Sequence, residues 1–255
     1  MTADLKAEAG RALACLDLTD LSDDCGAGDI NELCKKAQTR YGSVAAVCIW
    51  PQFVRQASRA LRDTQIKIAT VVNFPEGDHP TSDVIEMTQK AREDGADEID
   101  MVIPWKALLE GHPENVSARV ARVKRAADGA IVKSILETGM LITPELIQQA
   151  TRGAIEGGAD FVKTSTGKVR VNATPQSARI ILEEIRAMGE DDVGFKAAGG
   201  VKTTQDAAEY LAIADEIMGP DWARPEQFRF GASSVLDALL ATLAGKDAPE
   251  PGQGY

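Results

Sequence analysis

Short apolar runs alternate with amphipathic helical patterns along almost the whole chain, and few folds accept that order. The runs are Ala14–Leu18, Val44–Ile49, Ile66–Asn73, Glu98–Ile103, Ala130–Glu137, Phe161–Ser165, Val193–Lys196 and Gln227–Phe230. Such runs suit strands of a parallel sheet covered on both faces. Between them, 29–39 places Ile30, Leu33, Cys34 and Ala37 on one helical face, and 83–94 follows a Pro-Thr-Ser start. Thr143-Pro144 and Thr174-Pro175 read as an N-cap followed by proline in the first turn. The second of these helices carries Ala178, Ile181, Leu182, Ile185 and Met188, and stops at Gly189. Gly-Ala-Asp recurs at 95–97 and 158–160, each time leading into a strand. Eight β/α units in about 230 residues predict a single-domain α/β TIM (β/α)8 barrel over 1–244, with a short N-terminal helix. The Pro- and Gly-rich segment 245–255 reads as a flexible tail.

Composition narrows the function classes. The formal net charge of −11 argues against nucleic acid and anionic membrane as partners. No apolar run approaches the ~20 residues of a membrane helix. The N-terminus lacks a signal-peptide core, so a cytoplasmic protein is expected. Cys15, Cys25, Cys34 and Cys48 form no C-x-x-C pair and read as reduced thiols. The two histidines, His79 and His112, lie in loop-like stretches, which disfavours a His-centred metal site or a Ser-His-Asp triad. Gly26–Asn31 has no strand before it and lacks the last glycine of a dinucleotide fingerprint, and Gly167-Lys168 lacks the flanking residues of a P-loop.

Three of the apolar runs are interrupted by a lysine: Lys133, Lys163 and Lys196. Burying an unpaired ammonium costs several kcal/mol or drives off its proton. Strand alternation sets Phe161, Lys163 and Ser165 on one face, Gly194 and Lys196 on one face, and Lys133 opposite Val132 and Ser134. The lysines then point into the barrel near the C-terminal ends of strands five, six and seven, where barrel active sites are built. A free lysine is neutral in only about one molecule in 2,500 at pH 7. A neighbouring cation and a dry pocket favour the neutral form, and a fall of about three pH units corresponds to roughly 4 kcal/mol. Two adjacent lysines can divide the work: one is the nucleophile, the other the perturbing cation. Asp100, with Ile99, Met101 and Ile103 on the opposite face, could pass protons through water. The plainer alternative is a buried ion-pair network of the lysines with Asp17, Asp100 and Glu137.

A second constellation suits an anion. Thr164-Ser165-Thr166-Gly167-Lys168, Ala198-Gly199-Gly200-Val201-Lys202 and Gly231-Ala232-Ser233-Ser234 follow strands six, seven and eight. Glycines allow backbone N–H groups close to a phosphate, and a helix N-terminus adds its dipole. Taken singly, Ser233 could simply cap a helix and the glycines make turns.

The stretches FVKTSTGK, GFKAAGGVKT and FRFGASS, with LDLTDL and DEIDMVIP upstream, closely resemble the bacterial-type deoxyribose-phosphate aldolases, from about Leu13 to Ser234. The resemblance implies a class I, Schiff-base aldolase that reversibly cleaves 2-deoxy-D-ribose 5-phosphate to D-glyceraldehyde 3-phosphate and acetaldehyde, with no metal and no cofactor. It implies that Lys163 is the Schiff-base lysine, Lys196 tunes it, and Asp100 is the acid of the proton relay. By the same match, Gly167, Lys168, Gly199, Gly200, Lys202, Gly231, Ser233 and Ser234 serve the phosphate, and Asp17, Thr19, Cys48, Lys133 and Thr166 line the pocket. Tyr255 matches a terminal tyrosine implicated in proton transfer. The chain departs from many relatives at Ala197, where they carry proline, and at Lys202, where they carry an arginine able to make a bidentate contact. Rival readings are another Schiff-base aldolase or transaldolase, a metal-free phosphosugar isomerase or synthase using lysine as an acid, and a sugar-phosphate-binding protein without turnover. The partners expected are a phosphorylated sugar and acetaldehyde. A homodimer stays open beside a monomer, because no surface stripe chooses between them.

Overall fold

The computed structural model describes residues 5–190 and 192–246. Eight parallel strands close into a barrel: β1 (Leu16–Asp20), β2 (Ala46–Ile49), β3 (Lys67–Val72), β4 (Glu98–Val102), β5 (Ile131–Ile135), β6 (Phe161–Lys163), β7 (Gly194–Ala198) and β8 (Phe228–Ala232). Strands are paired in chain order, and β1 closes the ring against β8. The principal helices are α1 (Leu5–Ala14), α2 (Ala27–Lys36), α3 (Val54–Leu61), α4 (Thr81–Asp94), α5 (Trp105–Leu109), α6 (Glu114–Ala126), α7 (Pro144–Glu156), α8 (Pro175–Met188), α9 (Thr204–Met218) and α10 (Val235–Ala244). A two-stranded hairpin, Gln38–Thr39 with Gly42–Ser43, interrupts the path from α2 to β2.

Helix starts follow the local chemistry. The Thr143 hydroxyl accepts from the Leu146 N–H, and Thr174 and Ser177 cap each other reciprocally. Thr203 and Asp206 do the same for α9. Gly95, Gly189 and Gly245 end α4, α8 and α10 in the left-handed region, where a Cβ is disfavoured. The extra helix α1 packs on α9 and α10, and Arg11 makes a bidentate pair with Asp215 at 2.7 and 2.8 Å.

Several boundaries differ from expectation. β1 starts at Leu16, not Ala14, because α1 runs through Ala14, and β8 starts at Phe228 and continues to Ala232. β6 stops at Lys163; the Thr164 N–H still donates to the Lys196 carbonyl of β7, but Thr166 turns to Glu137. The segment opening at Gly26 does have a strand before it, β1, ending at Asp20. Of the tail expected over 245–255, Gly245 caps α10 and residues 247–255 lie outside the described residues.

The register sends alternate residues inward. Asp100 pairs with Lys133, Lys133 with Phe161, Lys163 with Lys196, and Lys196 with Arg229. Long inward side chains need small neighbours. A Cβ on Gly194 would stand 2.4 Å from the Phe161 ring, and one on Gly231 would stand 2.9 Å from Lys196 Cε. The outward residues, such as Phe195, Phe228 and Phe230, pack under the helical layer.

Gly194→Ala is therefore expected to lower stability by about 1–3 kcal/mol through overpacking, read as a lower urea midpoint with an unchanged slope. An unaltered midpoint would mean that Phe161 has room to move.

Candidate active site

The inward positions gather an ionic cluster in the middle of the barrel. Lys133 Nζ lies 2.5 Å from Glu98, 2.9 Å from Asp100 and 3.2 Å from Asp17. Lys196 Nζ lies 2.5 Å from Asp17 and 2.8 Å from Asp100. Arg229 donates to Asp17 at 2.6 Å and to both oxygens of Glu98 at 3.1 and 2.9 Å. Lys163 makes one ion pair, 2.8 Å to Asp100 Oδ2. No side chain in this set is more than 5% exposed.

Asp100 is the hub. Its Oδ1 accepts from Lys133, and its Oδ2 accepts from both Lys163 and Lys196. The Cys48 thiol also approaches Oδ2, at 4.0 Å. The structure brings Lys163, Lys196 and Asp100 together, with one carboxylate oxygen of Asp100 between the two amines. The proposed network partner Glu137 is corrected. It accepts from the Thr166 N–H at 3.2 Å and from its hydroxyl at 2.5 Å, while Glu98 and Arg229 complete the network.

Burial alone would push Asp17 and Asp100 up and Lys133 and Arg229 down. The partners outweigh burial in each case. Lys133, Lys196 and Arg229 hold Asp17 below the usual carboxylate range, and Lys133, Lys163 and Lys196 hold Asp100 well below it. Asp100, Asp17 and Glu98 raise Lys133, and Asp17 and Glu98 raise Arg229. These four groups stay charged at neutral pH. Burial raises Glu137, against the opposing pull of Thr166, and burial with Asp100 raises Cys48, which stays a thiol.

At the mouth, Gly167, Gly199 and Gly200 have positive φ. The Ser234 hydroxyl at the start of α10 is buried without a hydrogen-bond partner among the described residues. Asn172, which the motifs did not single out, lies against Gly199, and its Oδ1 is likewise buried and unpartnered. A cavity of about 530 Å³ touches Gly167, Lys168 and Ser233 on one side and Asp29, Glu32 and Lys36 on the other. It lies beside the lysines rather than over them. Lys168 spans the mouth to Asp23 at 2.9 Å and sits 5.8 Å from the Trp50 ring centroid. The Lys202 side chain is exposed, and its backbone N–H donates to Asp206. Thr19 turns its hydroxyl to the Asp17 carbonyl at 2.8 Å. Tyr255 lies outside the described residues.

Glu98 and Arg229 were missed, although alternation could have found them. Glu98 is two residues before Asp100 on the same strand face, and Arg229 lies between outward Phe228 and Phe230.

A family model described as DeoC/LacD family aldolase matches residues 11–240. A curated protein of Agrobacterium fabrum named deoxyribose-phosphate aldolase is 49% identical over 249 residues, which span 97% of this chain and 96% of that one. An apo crystal structure from Toxoplasma gondii ME49, titled provisionally as a deoxyribose-phosphate aldolase, superposes with a TM-score of 0.87 at 26% identity, covering 96% of this chain and 99% of its own. A structure from Coccidioides immitis with the same provisional title has a TM-score of 0.81 at 29% identity, covering 92% of this chain and 86% of that one.

The cluster also sets an acid limb of stability. A carboxylate with a lowered folded value stabilises the fold above its unfolded value near 3.9, and that stabilisation is lost as pH falls toward the folded value. In Asp17→Asn the stability–pH curve below about pH 4 is expected to be shallower, by up to about 1.4 kcal/mol per pH unit, the worth of one proton. Urea titrations across roughly pH 2 to 6 measure this, and equal slopes in both proteins would contradict the ion pairing of Asp17.

Proposed function

The chain belongs to the DeoC/LacD family of aldolases, and from that premise we propose that it cleaves 2-deoxy-D-ribose 5-phosphate reversibly to D-glyceraldehyde 3-phosphate and acetaldehyde, through a Schiff base on Lys163. The observation that carries this reading is the place of Lys163. It ends β6 at the mouth of the barrel, and it has one carboxylate partner where Lys196 has two and Lys133 three.

The neutral Lys163 amine adds to the C1 aldehyde, and loss of water from the carbinolamine gives an iminium. Removal of the C3 hydroxyl proton lets the C2–C3 electron pair flow into that iminium. Glyceraldehyde 3-phosphate departs, and the enamine of acetaldehyde stays on the nitrogen. Protonation at C2 and addition of water then release acetaldehyde and restore the amine. Asp100, in contact with Lys163 and Lys196, is placed to exchange protons with water bound beside the nitrogen. Lys196 lies next to the reacting centre, its Nζ 2.8 Å from the Asp100 oxygen that Lys163 also contacts.

The phosphate reading is supported by the glycine turns, the unpartnered Ser234 hydroxyl and Lys168. Asp23, whose side chain is 92% exposed, holds Lys168 in the free protein and is easily exchanged for a phosphate oxygen.

Acetaldehyde followed by borohydride, then peptide mass mapping, should place a reduced adduct on Lys163, and Lys163→Ala should lose activity by several orders of magnitude. An adduct on another lysine, or full activity in Lys163→Ala, would end this mechanism. Separately, Lys168→Ala is expected to raise KM for the phosphorylated sugar about tenfold, the worth of one charge-assisted contact, and to leave turnover of unphosphorylated 2-deoxyribose unchanged. Equal losses on both sugars would remove Lys168 from the phosphate site.

A further inference from the structure

The contact cluster is not charge-balanced. Four cationic side chains, Lys133, Lys163, Lys196 and Arg229, face three carboxylates, Asp17, Glu98 and Asp100. With every member ionised it carries one positive charge in excess, on side chains at most 5% exposed. An uncompensated buried charge is expensive, and a group that can shed it does so. Arginine cannot, because its guanidinium holds its proton under all ordinary conditions.

We propose that Arg229 is a positioning residue for the reaction: its permanent charge, clamped by Glu98 and Asp17, makes the excess, and the cluster discharges it by releasing a proton from Lys163, the amine with the fewest carboxylate partners. Loss of that proton leaves three cations against three carboxylates and breaks one ion pair. The same loss at Lys196 or Lys133 would break two or three. Arg229 thus acts at a distance. It touches neither Lys163 nor the mouth; it occupies the acids that would otherwise have to be satisfied by an amine. The inference rests on the Schiff-base reading of Lys163.

The other groups around Lys163 do not undo the count. From β2, Cys48 presents a thiol held neutral by burial and Asp100. From β3, the inward residues Ala69 and Val71 carry no charge. From the turn after β5, Glu137 approaches; burial raises it while Thr166 and the charge of Lys163 pull it down, and it stands outside the contact cluster, making no ion pair with an amine among the described residues. From β8, Arg229 also lies 5.5 Å from the Phe161 ring centroid, which fixes the guanidinium without neutralising it.

The test is a charge series read by two pH profiles: kcat/KM for deoxyribose 5-phosphate cleavage, and the rate of borohydride-trapped adduct formation with acetaldehyde. Arg229→Met should move the acidic limb of both profiles upward by about one pH unit or more, a rate about tenfold lower near pH 7. Glu98→Gln should move the limb the opposite way. The double variant Arg229→Met/Glu98→Gln, which restores the excess charge, should return toward wild type, and Arg229→Lys should keep the wild-type limb. A purely structural role predicts a double variant at least as impaired as the worse single one. Limbs that stay fixed, or that shift the same way in Arg229→Met and Glu98→Gln, overturn the proposal. Should Arg229→Met fail to fold, the downward shift in Glu98→Gln decides alone. Wild-type protein that traps no adduct would instead defeat the aldolase reading itself; normal trapping with immobile limbs defeats only the role of Arg229.

Discussion

The carboxylate of Asp100 is the interaction on which the centre of this barrel depends. It accepts from three lysines arriving on three successive strands, β5, β6 and β7, and each of those amines is buried. Removing water from so many charges costs several kcal/mol per ion, and attraction repays it only when every proton and lone pair finds a partner. The closed barrel makes this feasible. Parallel register places inward residues of adjacent strands side by side, so carboxylates and amines meet without loops having to fold inward.

Space is the second constraint. Side chains as long as lysine and arginine cannot all point into a barrel of eight strands unless other inward positions are nearly empty. Gly194 and Gly231 are such positions, one beneath Phe161 and one beneath the Lys196 stem. Ala46 and Ala69 play the same part on the other side, next in register to Asp17 and Cys48. Removing these Cβ groups or shrinking these side chains weakens strands in isolation, yet here it admits the groups that carry the chemistry. Outside the barrel, the outward aromatic and aliphatic residues supply the apolar burial that the ionic interior does not.

Much of this was legible in the chain. The alternation of strand and helix patterns led directly to the barrel, and Thr174-Pro175 marked a helix start that the capping geometry reproduces. The three lysines stood out because a charge inside an apolar run is improbable by packing alone. Glu98 did not stand out because it opens its run, where polar residues are ordinary, and Arg229 because its run is only four residues long. Their significance comes from register across the barrel: Arg229 reaches Glu98 only because β8 and β4 face each other over the interior, a relation no local pattern encodes. The same holds for the short span of β6. Thr164 to Thr166 continue a strand-like pattern, and Thr164 still bonds to Lys196 and Ala198 of β7, but Thr166 gives its N–H and hydroxyl to Glu137 in the turn after β5.

The net charge of −11 and the positive interior do not conflict. Most acids lie on the surface, where water and salt screen them beyond about 8 Å at physiological ionic strength. The cluster is shielded from that screening by the barrel wall, so its own balance sets the potential felt at the mouth. An anion approaching that end meets the glycine turns, Lys168 and an interior in which four cationic side chains face three carboxylates. On the reading proposed above, loss of the proton balances the cluster at three against three, and attraction of the anion then falls to Lys168 and the turns at the mouth. An anion seated at the mouth also changes that balance, favouring protonation of the nearby amine.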